Sequence, residues 1–263
     1  MKEIVFVWTQ KYCNVEITPT EWRHGLGDLL RGTVGILRYC YERGYECYID
    51  ISLHPLSKLL VVTPHKYSEF IQMHKDSVNI FPQHGAVEAI DKELEDKDFT
   101  YFFTPFGLSE FDIPATPIIK ERIRELMRPN DTLLSYMNPI QIPYPEFVAL
   151  HFRLGDNELI LNEKRRPSEY IPIIESFTQG SYILFSDSQT LKQMAKPYIF
   201  TFDSNTAHVG FHTEVEELRS TMLEFFTLRQ AKHIFTYSVY TWTSGFVKII
   251  NYIYDVPLVN MKI

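Results

Sequence analysis

No pair of cysteines in this chain is spaced for zinc or for a CxxC redox centre: of 263 residues only Cys13, Cys40 and Cys47 carry a thiol. So sparse and odd a set suits a reducing compartment, with the thiols acting as small apolar side chains. There is no apolar run long enough to cross a bilayer, which takes about 20 residues. The N-terminal stretch MKEIVFVWTQKYC turns polar too early for a signal core and reads as a first β-strand. No membrane span and a cytoplasmic location are therefore expected. Positive charge is also short. Lys and Arg number 26 against 33 Asp and Glu, a formal net charge of -7. That excludes the broad basic field of unspecific nucleic-acid binding but leaves room for a local basic pocket facing a phosphorylated ligand. Gly-Lys-Ser/Thr is missing, so there is no Walker loop, and neither an internal repeat nor a low-complexity segment is present.

What is present is ordinary soluble globular composition, 45% apolar and 22% charged, in a length that suits two domains of about 100–150 residues. Strand patterns at 4–8, 46–51, 99–103, 148–153, 182–185, 199–202 and 233–237 alternate with helical patterns at 29–42, 117–127, 168–176, 189–195, 214–231 and 244–254. This alternation predicts doubly wound α/β architecture. Residues 52–98 show no clear pattern. Asn138-Pro-Ile-Gln-Ile-Pro-Tyr-Pro145 has three prolines, which disfavour helix and central strand and suit a connector. The predicted division is an N-terminal Rossmann-like domain over 1–140 and a C-terminal one over 146–263. Two such domains place a cleft between the carboxyl ends of their strands, where parallel sheets bind ligands, so functional residues are sought in the loops after strands.

The first such loop is Arg23-His-Gly-Leu-Gly-Asp-Leu-Leu-Arg31. Gly25 and Gly27 permit tight turning and close ligand approach, and Asp28 can cap the following helix, whose N-terminus offers N–H groups to an anion. A plain strand–helix turn explains the same residues. The second is Val148-Ala-Leu-His-Phe-Arg-Leu-Gly-Asp156. Alternation puts His151 and Arg153 on one face at the end of an apolar strand, Gly155 breaks the strand, and Asp156 follows. Transfer from a sugar nucleotide expels a diphosphate. A guanidinium can neutralise that charge through paired hydrogen bonds, and a nearby imidazole can add a donor. An edge-strand histidine and a surface arginine form the plainer alternative. Glu224 lies in an apolar surround where an unpaired carboxylate is costly. It calls for Arg153, a backbone amide or a ligand hydroxyl as partner, unless it sits on the wet face of its helix. Ser238 and Thr241 can donate to a phosphate or cap the last helix.

His-x-Arg-x-Gly-Asp, as it stands in His151–Asp156, resembles the first signature of the fucosyltransferase superfamily, which includes bacterial α1,6-, α1,2- and protein O-fucosyltransferases. Residues 24–50 are similar to the N-terminal loop–helix–strand of the bacterial α1,6 enzymes. Leu184-Phe-Ser-Asp-Ser188 resembles the family's strand ending in Thr/Ser-Asp near the guanine base, which points to Ser186 and Asp187. Residues 223–245 resemble its last signature, a helix bearing an acid, a strand and a Ser-rich loop. The chain departs in having Leu154 where some members carry a second arginine, Glu224 in place of the usual Asp, and Ser-Val-Tyr-Thr-Trp in the Ser-rich loop.

The resemblance implies a GT-B-like glycosyltransferase that moves a sugar from a nucleotide sugar to a glycan acceptor. GDP-fucose is the implied donor, with inversion at the anomeric carbon and no metal. Asp96-Lys-Asp98, nominally a DxD element, lies in an acidic helix end and reads as a solvated charge run. Alternatives are the same fold with another donor, such as a xylosyl or other hexosyl transferase, and a non-catalytic carbohydrate- or nucleotide-binding module. The expected donor-binding set is Gly25, Gly27, His151, Arg153, Ser186, Asp187, Glu224, Ser238 and Thr241. An inverting transfer also needs a base near the acceptor hydroxyl. Asp156 and Glu158 rank first because they follow Arg153 most closely, with Asp28, Glu163 and His24 behind them.

Overall fold

The structure, a computed structural model, describes residues 1–9, 25–81, 85–104, 114–155, 166–203, 206, 209 and 214–262. The chain divides into two units, Met1–Leu134 and Ser135–Ile263, each an α/β body around its own parallel sheet.

Unit 1 begins with β1 (Glu3–Val7), continuously apolar after Glu3, as suits a strand covered on both faces; Ile4, Val5, Phe6 and Val7 are fully buried. After it come α1 (Leu26–Arg43), β2 (Glu46–Asp50), α2 (Ser68–Met73), β3 (Asn79–Ile80), α3 (Ala86–Glu93), β4 (Phe99–Phe103) and α4 (Pro117–Leu126). The strand order is β2-β1-β4-β3, all parallel. Helix α1 ends at Gly44, whose φ of 66° is the left-handed cap geometry that favours glycine. Thr116 and Pro117 open α4 as cap and first helical residue. The division between the units falls inside α5 (Asp131–Met137), and residues 138–147 are neither helix nor strand.

Unit 2 contains β5 (Val148–Arg153), α6 (Ile171–Glu175), β6 (Tyr182–Ser186), α7 (Gln189–Ala195), β7 (Phe200–Thr201), α8 (Val215–Leu228), β8 (His233–Ser238), α9 (Gly245–Tyr254) and β9 (Leu258–Asn260). Its parallel sheet has the order β7-β6-β5-β8-β9. The chain therefore winds outward from β5 in one direction, returns to the other side of β5, and winds outward again. This is the doubly wound Rossmann arrangement, and it reverses between β5 and β8.

The expected α/β class is what the structure contains, with several local differences. Helix α1 starts at Leu26 rather than 29, which draws Gly27 and Asp28 into its first turn. The helix expected over 168–176 is a tight 3-10 turn, Pro167–Tyr170, followed by the short α6. Elements α2, β3, α3, α5 and β9 add to the pattern read from the sequence. The two strands among them have two or three residues, too few for an alternation to show.

Candidate functional site

In a doubly wound sheet the crevice at the point of reversal opens beyond the carboxyl ends of the two central strands. In unit 2 those ends are Arg153 of β5 and Ser238 of β8, which face each other in register. Ligand chemistry is therefore to be sought around Arg153.

Asp187, the residue after β6, organises this corner. It accepts hydrogen bonds from Arg153 Nη1 (2.6 Å) and from the backbone amides of Leu154 (2.8 Å) and Gly155 (2.9 Å). Gly155 turns with a φ of 103°, a backbone state that side chains resist. One carboxylate thus fixes both the guanidinium and the first turn of the loop after β5. The Asp187 side chain is 8% exposed and that of Arg153 20%, so the cation is held in place yet reachable from solvent. Ser186 supports the corner from beneath. It is buried, donates to the Phe152 carbonyl (2.7 Å) and accepts from the Ser188 amide (3.1 Å).

On the β8 side, Ser238 Oγ accepts from the Tyr240 amide (3.2 Å). The Arg153 guanidinium lies 5.9 Å from the centre of the Tyr240 ring. Tyr240 in turn stacks on Trp242 at 4.8 Å, and Trp242 is 58% exposed. A cation beside an aromatic stack with an open face is equipped to hold an anionic group and a flat apolar surface together. Thr241, between these two residues in sequence, is exposed. Sequence reading passed over Tyr240 and Trp242 as sites. Their signal was two aromatic residues, two positions apart, immediately after a central strand.

His151 shares the Arg153 face of β5 but sits one pair deeper. It is buried, its Nδ1 lies 2.9 Å from Thr236 Oγ1, and its ring stacks on Phe246. Burial first, and the Arg153 charge second, push its pKa down to about 3. It is a neutral core imidazole, one layer beneath the solvent-reachable guanidinium.

Glu224 of α8 is 2% exposed. Its partners are Lys192 Nζ, from α7, and Thr206 Oγ1 at 2.9 Å. Burial raises its pKa while Lys192 works against that rise. Thr206 also receives Lys192 Nζ at 2.7 Å and lies 3.1 Å from the Ser186 carbonyl, so its single proton serves either Glu224 or that carbonyl. Lys192 and Thr206 were not among the expected site residues. A lysine on an amphipathic helix normally reaches water, and nothing local marks this one as 1% exposed.

In unit 1, Gly25 caps α1, and its amide donates to Asp28 Oδ2 at 3.2 Å. Asp28 also lies 3.6 Å from Arg31. Its carboxylate is therefore tied to the helix end, with Gly27 buried inside the first turn. Asp156, Glu158, Glu163 and His24 lie outside the described residues. Among the described residues no group of three or more His, Cys, Asp or Glu side chains could hold a metal ion. Among the described residues, too, no helix is long and apolar enough to cross a membrane.

Among the described residues each unit contains one buried neutral histidine, with a consequence for acid stability. His54 in unit 1 is buried against Trp8, its Nδ1 accepts from the Leu56 amide (3.2 Å), and burial lowers its pKa to about 3. Both His54 and His151 have a folded pKa below the unfolded value of about 6.5. The unfolded chain then binds more protons as pH falls, so their stabilising contribution is intact above about 6.5 and is lost toward about 3. Denaturant unfolding between pH 7 and 5 should show stability falling in both units, by up to about 1.4 kcal/mol per pH unit for each histidine. A flat profile would mean that neither ring is held neutral.

No protein-family model and no curated protein matches the sequence. Solved structures do match in fold. NodZ α-1,6-fucosyltransferase soaked with GDP-fucose is 13% identical at a TM-score of 0.55, over 100% of this chain and 95% of that one. A mutant FUT1 from Arabidopsis thaliana in complex with GDP is 10% identical at a TM-score of 0.53, over 98% of this chain and 70% of that one. At these identities what is shared is the fold: two α/β bodies of the kind found in these fucosyltransferases.

Proposed function

We propose that the chain is a GT-B-like inverting glycosyltransferase that moves L-fucose from GDP-fucose to a glycan hydroxyl, with the donor on unit 2 and the acceptor on unit 1. The observation that carries this reading is Arg153, fixed by Asp187 at the strand end where the unit 2 sheet reverses. The fold shared with structures holding GDP or GDP-fucose supports this donor class.

In this reading the leaving diphosphate is met by Arg153 without a metal. The amino end of α9, which Ser244 does not cap with its side chain, offers further N–H groups. Tyr240 and Trp242 give a sugar or base an apolar face to lie on. Asp28 is tied to the end of α1, so Asp156 and Glu158 keep the first rank as the base that deprotonates the acceptor, with Glu163 and His24 behind them. Ser186 and Glu224 hold the donor site from behind, through the Phe152 carbonyl and Lys192.

Thermal shift with nucleotides tests the donor. A ligand that binds only the folded state stabilises it, by about 2.7 kcal/mol at a hundred times its Kd. GDP should raise the melting temperature more than UDP, ADP or CMP, and EDTA should leave the shift unchanged. A larger response to UDP would replace fucose by another sugar. No response to any nucleotide would remove the transferase reading.

A further inference from the structure

Unit 1 has a cavity of about 290 Å³ away from the carboxyl ends of its strands. It lies between the C-terminal part of α1, the first residues of β2 and the start of α4, and β2 is an edge strand of its sheet. Leu37, Cys40 and Ile119 are buried and form an apolar floor, and Tyr45 and Tyr48 are half-buried walls. The rim is unusual for a soluble surface: Tyr41 is 62% exposed and Ile118 54%. Large apolar side chains left open around a concavity mark a binding surface more often than isolated ones do.

The charges at the mouth favour one sign. Glu46 lines the cavity but is met by Lys66 at 3.6 Å. Arg122 is exposed and donates one hydrogen bond, from Nη2 to the Cys47 carbonyl at 3.0 Å, which anchors it at the lip. A guanidinium has five N–H donors, and this bond uses one. Two of the last carbonyls of α1, which would repel an anion, are taken up: that of Tyr41 by the Gly44 amide and that of Cys40 by the Tyr45 amide. The hydrogen bond to Cys40, together with burial, pushes the Cys47 thiol well up, so Cys47 lines the wall as a neutral group.

We propose that this cavity is a second ligand site, for a small organic acid whose single ring rests on the apolar floor and whose carboxylate meets Arg122. Its volume is at the small end of ligand pockets, about 300–1,000 Å³, which suits one ring rather than a nucleotide or an oligosaccharide. It opens at the amino end of β2, opposite the strand ends where such sheets bind substrates, so it stands apart from any reaction centre there.

Phenylacetate is the probe, titrated into the full chain and followed by backbone amide NMR. Saturable shifts are expected at the end of α1, the start of β2 and the start of α4, with a Kd of about 1 mM for so small a ligand. Arg122→Ala should weaken phenylacetate about tenfold, the loss of one charge-assisted hydrogen bond. Neutral phenylacetamide should bind the wild type more weakly than phenylacetate and bind both proteins alike. Arg122 is exposed, so an unchanged melting temperature of the ligand-free variant serves as the folding control. Shifts that do not saturate, shifts that fall elsewhere, or equal affinities for phenylacetate and phenylacetamide would overturn the proposal. These outcomes do not depend on the donor reading, which nucleotide binding tests separately.

Discussion

Arg153→Ala is expected to slow sugar transfer about 10²–10³-fold, equivalent to about 3–4 kcal/mol of lost transition-state stabilisation, the scale of deleting one preorganised donor at an oxyanion. Charge grows on the diphosphate as the glycosidic bond breaks, and a guanidinium already in position stabilises that charge more than it stabilises the ground state. Asp187 supplies the preorganisation through the 2.6 Å ion pair. It also protects the fold of the variant: without the arginine, the carboxylate keeps the amides of Leu154 and Gly155. Circular dichroism should therefore be unchanged. Arg153→Lys should recover only part of the rate, because an ammonium cannot serve Asp187 and a phosphate with one planar fork. Turnover of Arg153→Ala within a few-fold of wild type would remove the phosphate role, and an unfolded variant would make the residue structural.

The second large effect concerns Lys192 and Glu224. Lys192→Met should destabilise unit 2 by about 3–5 kcal/mol, because it leaves the Glu224 carboxylate buried without its cation. For a body of this size that is a drop in melting temperature of roughly 10–20 °C. Adding Glu224→Gln should restore most of the loss. The buried charge is then gone, and the amide can still meet Thr206, whereas a well-packed neutral pair costs little relative to an ion pair at this depth. Thermal unfolding of both variants checks this. A single variant that melts within a degree or two of wild type would show that the pair contributes nothing, and a double variant as unstable as the single would show that lost packing, rather than the stranded charge, is responsible.

How much of this was legible in the sequence depended on the range of the interaction. The strand at Val148–Arg153 and the helix at Gln189–Ala195 were expected with the bounds the structure has, since apolar runs and helical spacing are read within one segment. Arg153 could be put at a strand end, and Glu224 in an apolar surround, from neighbours along the chain alone. The buried depth of His151 could not, because alternation gives a face but not how many layers cover it. Asp28 showed both possibilities in the sequence, cap or base, and its tie to the Gly25 amide depended on where α1 begins.

By itself, then, the sequence determined the class of architecture, most of the elements, and which residues stand at strand ends, because local periodicity and turn chemistry encode these within a few residues. Only the tertiary structure decided that β5 lies beside β8, so that Arg153 and Ser238 meet where the sheet reverses. It likewise decided that Asp187, 34 residues after Arg153, holds that arginine, and that Glu224 is answered by Lys192, 32 residues before it. Such pairings join segments that carry no mark of each other. They are set by the order in which strands enter the sheet and by the cost of leaving a charge buried without a partner.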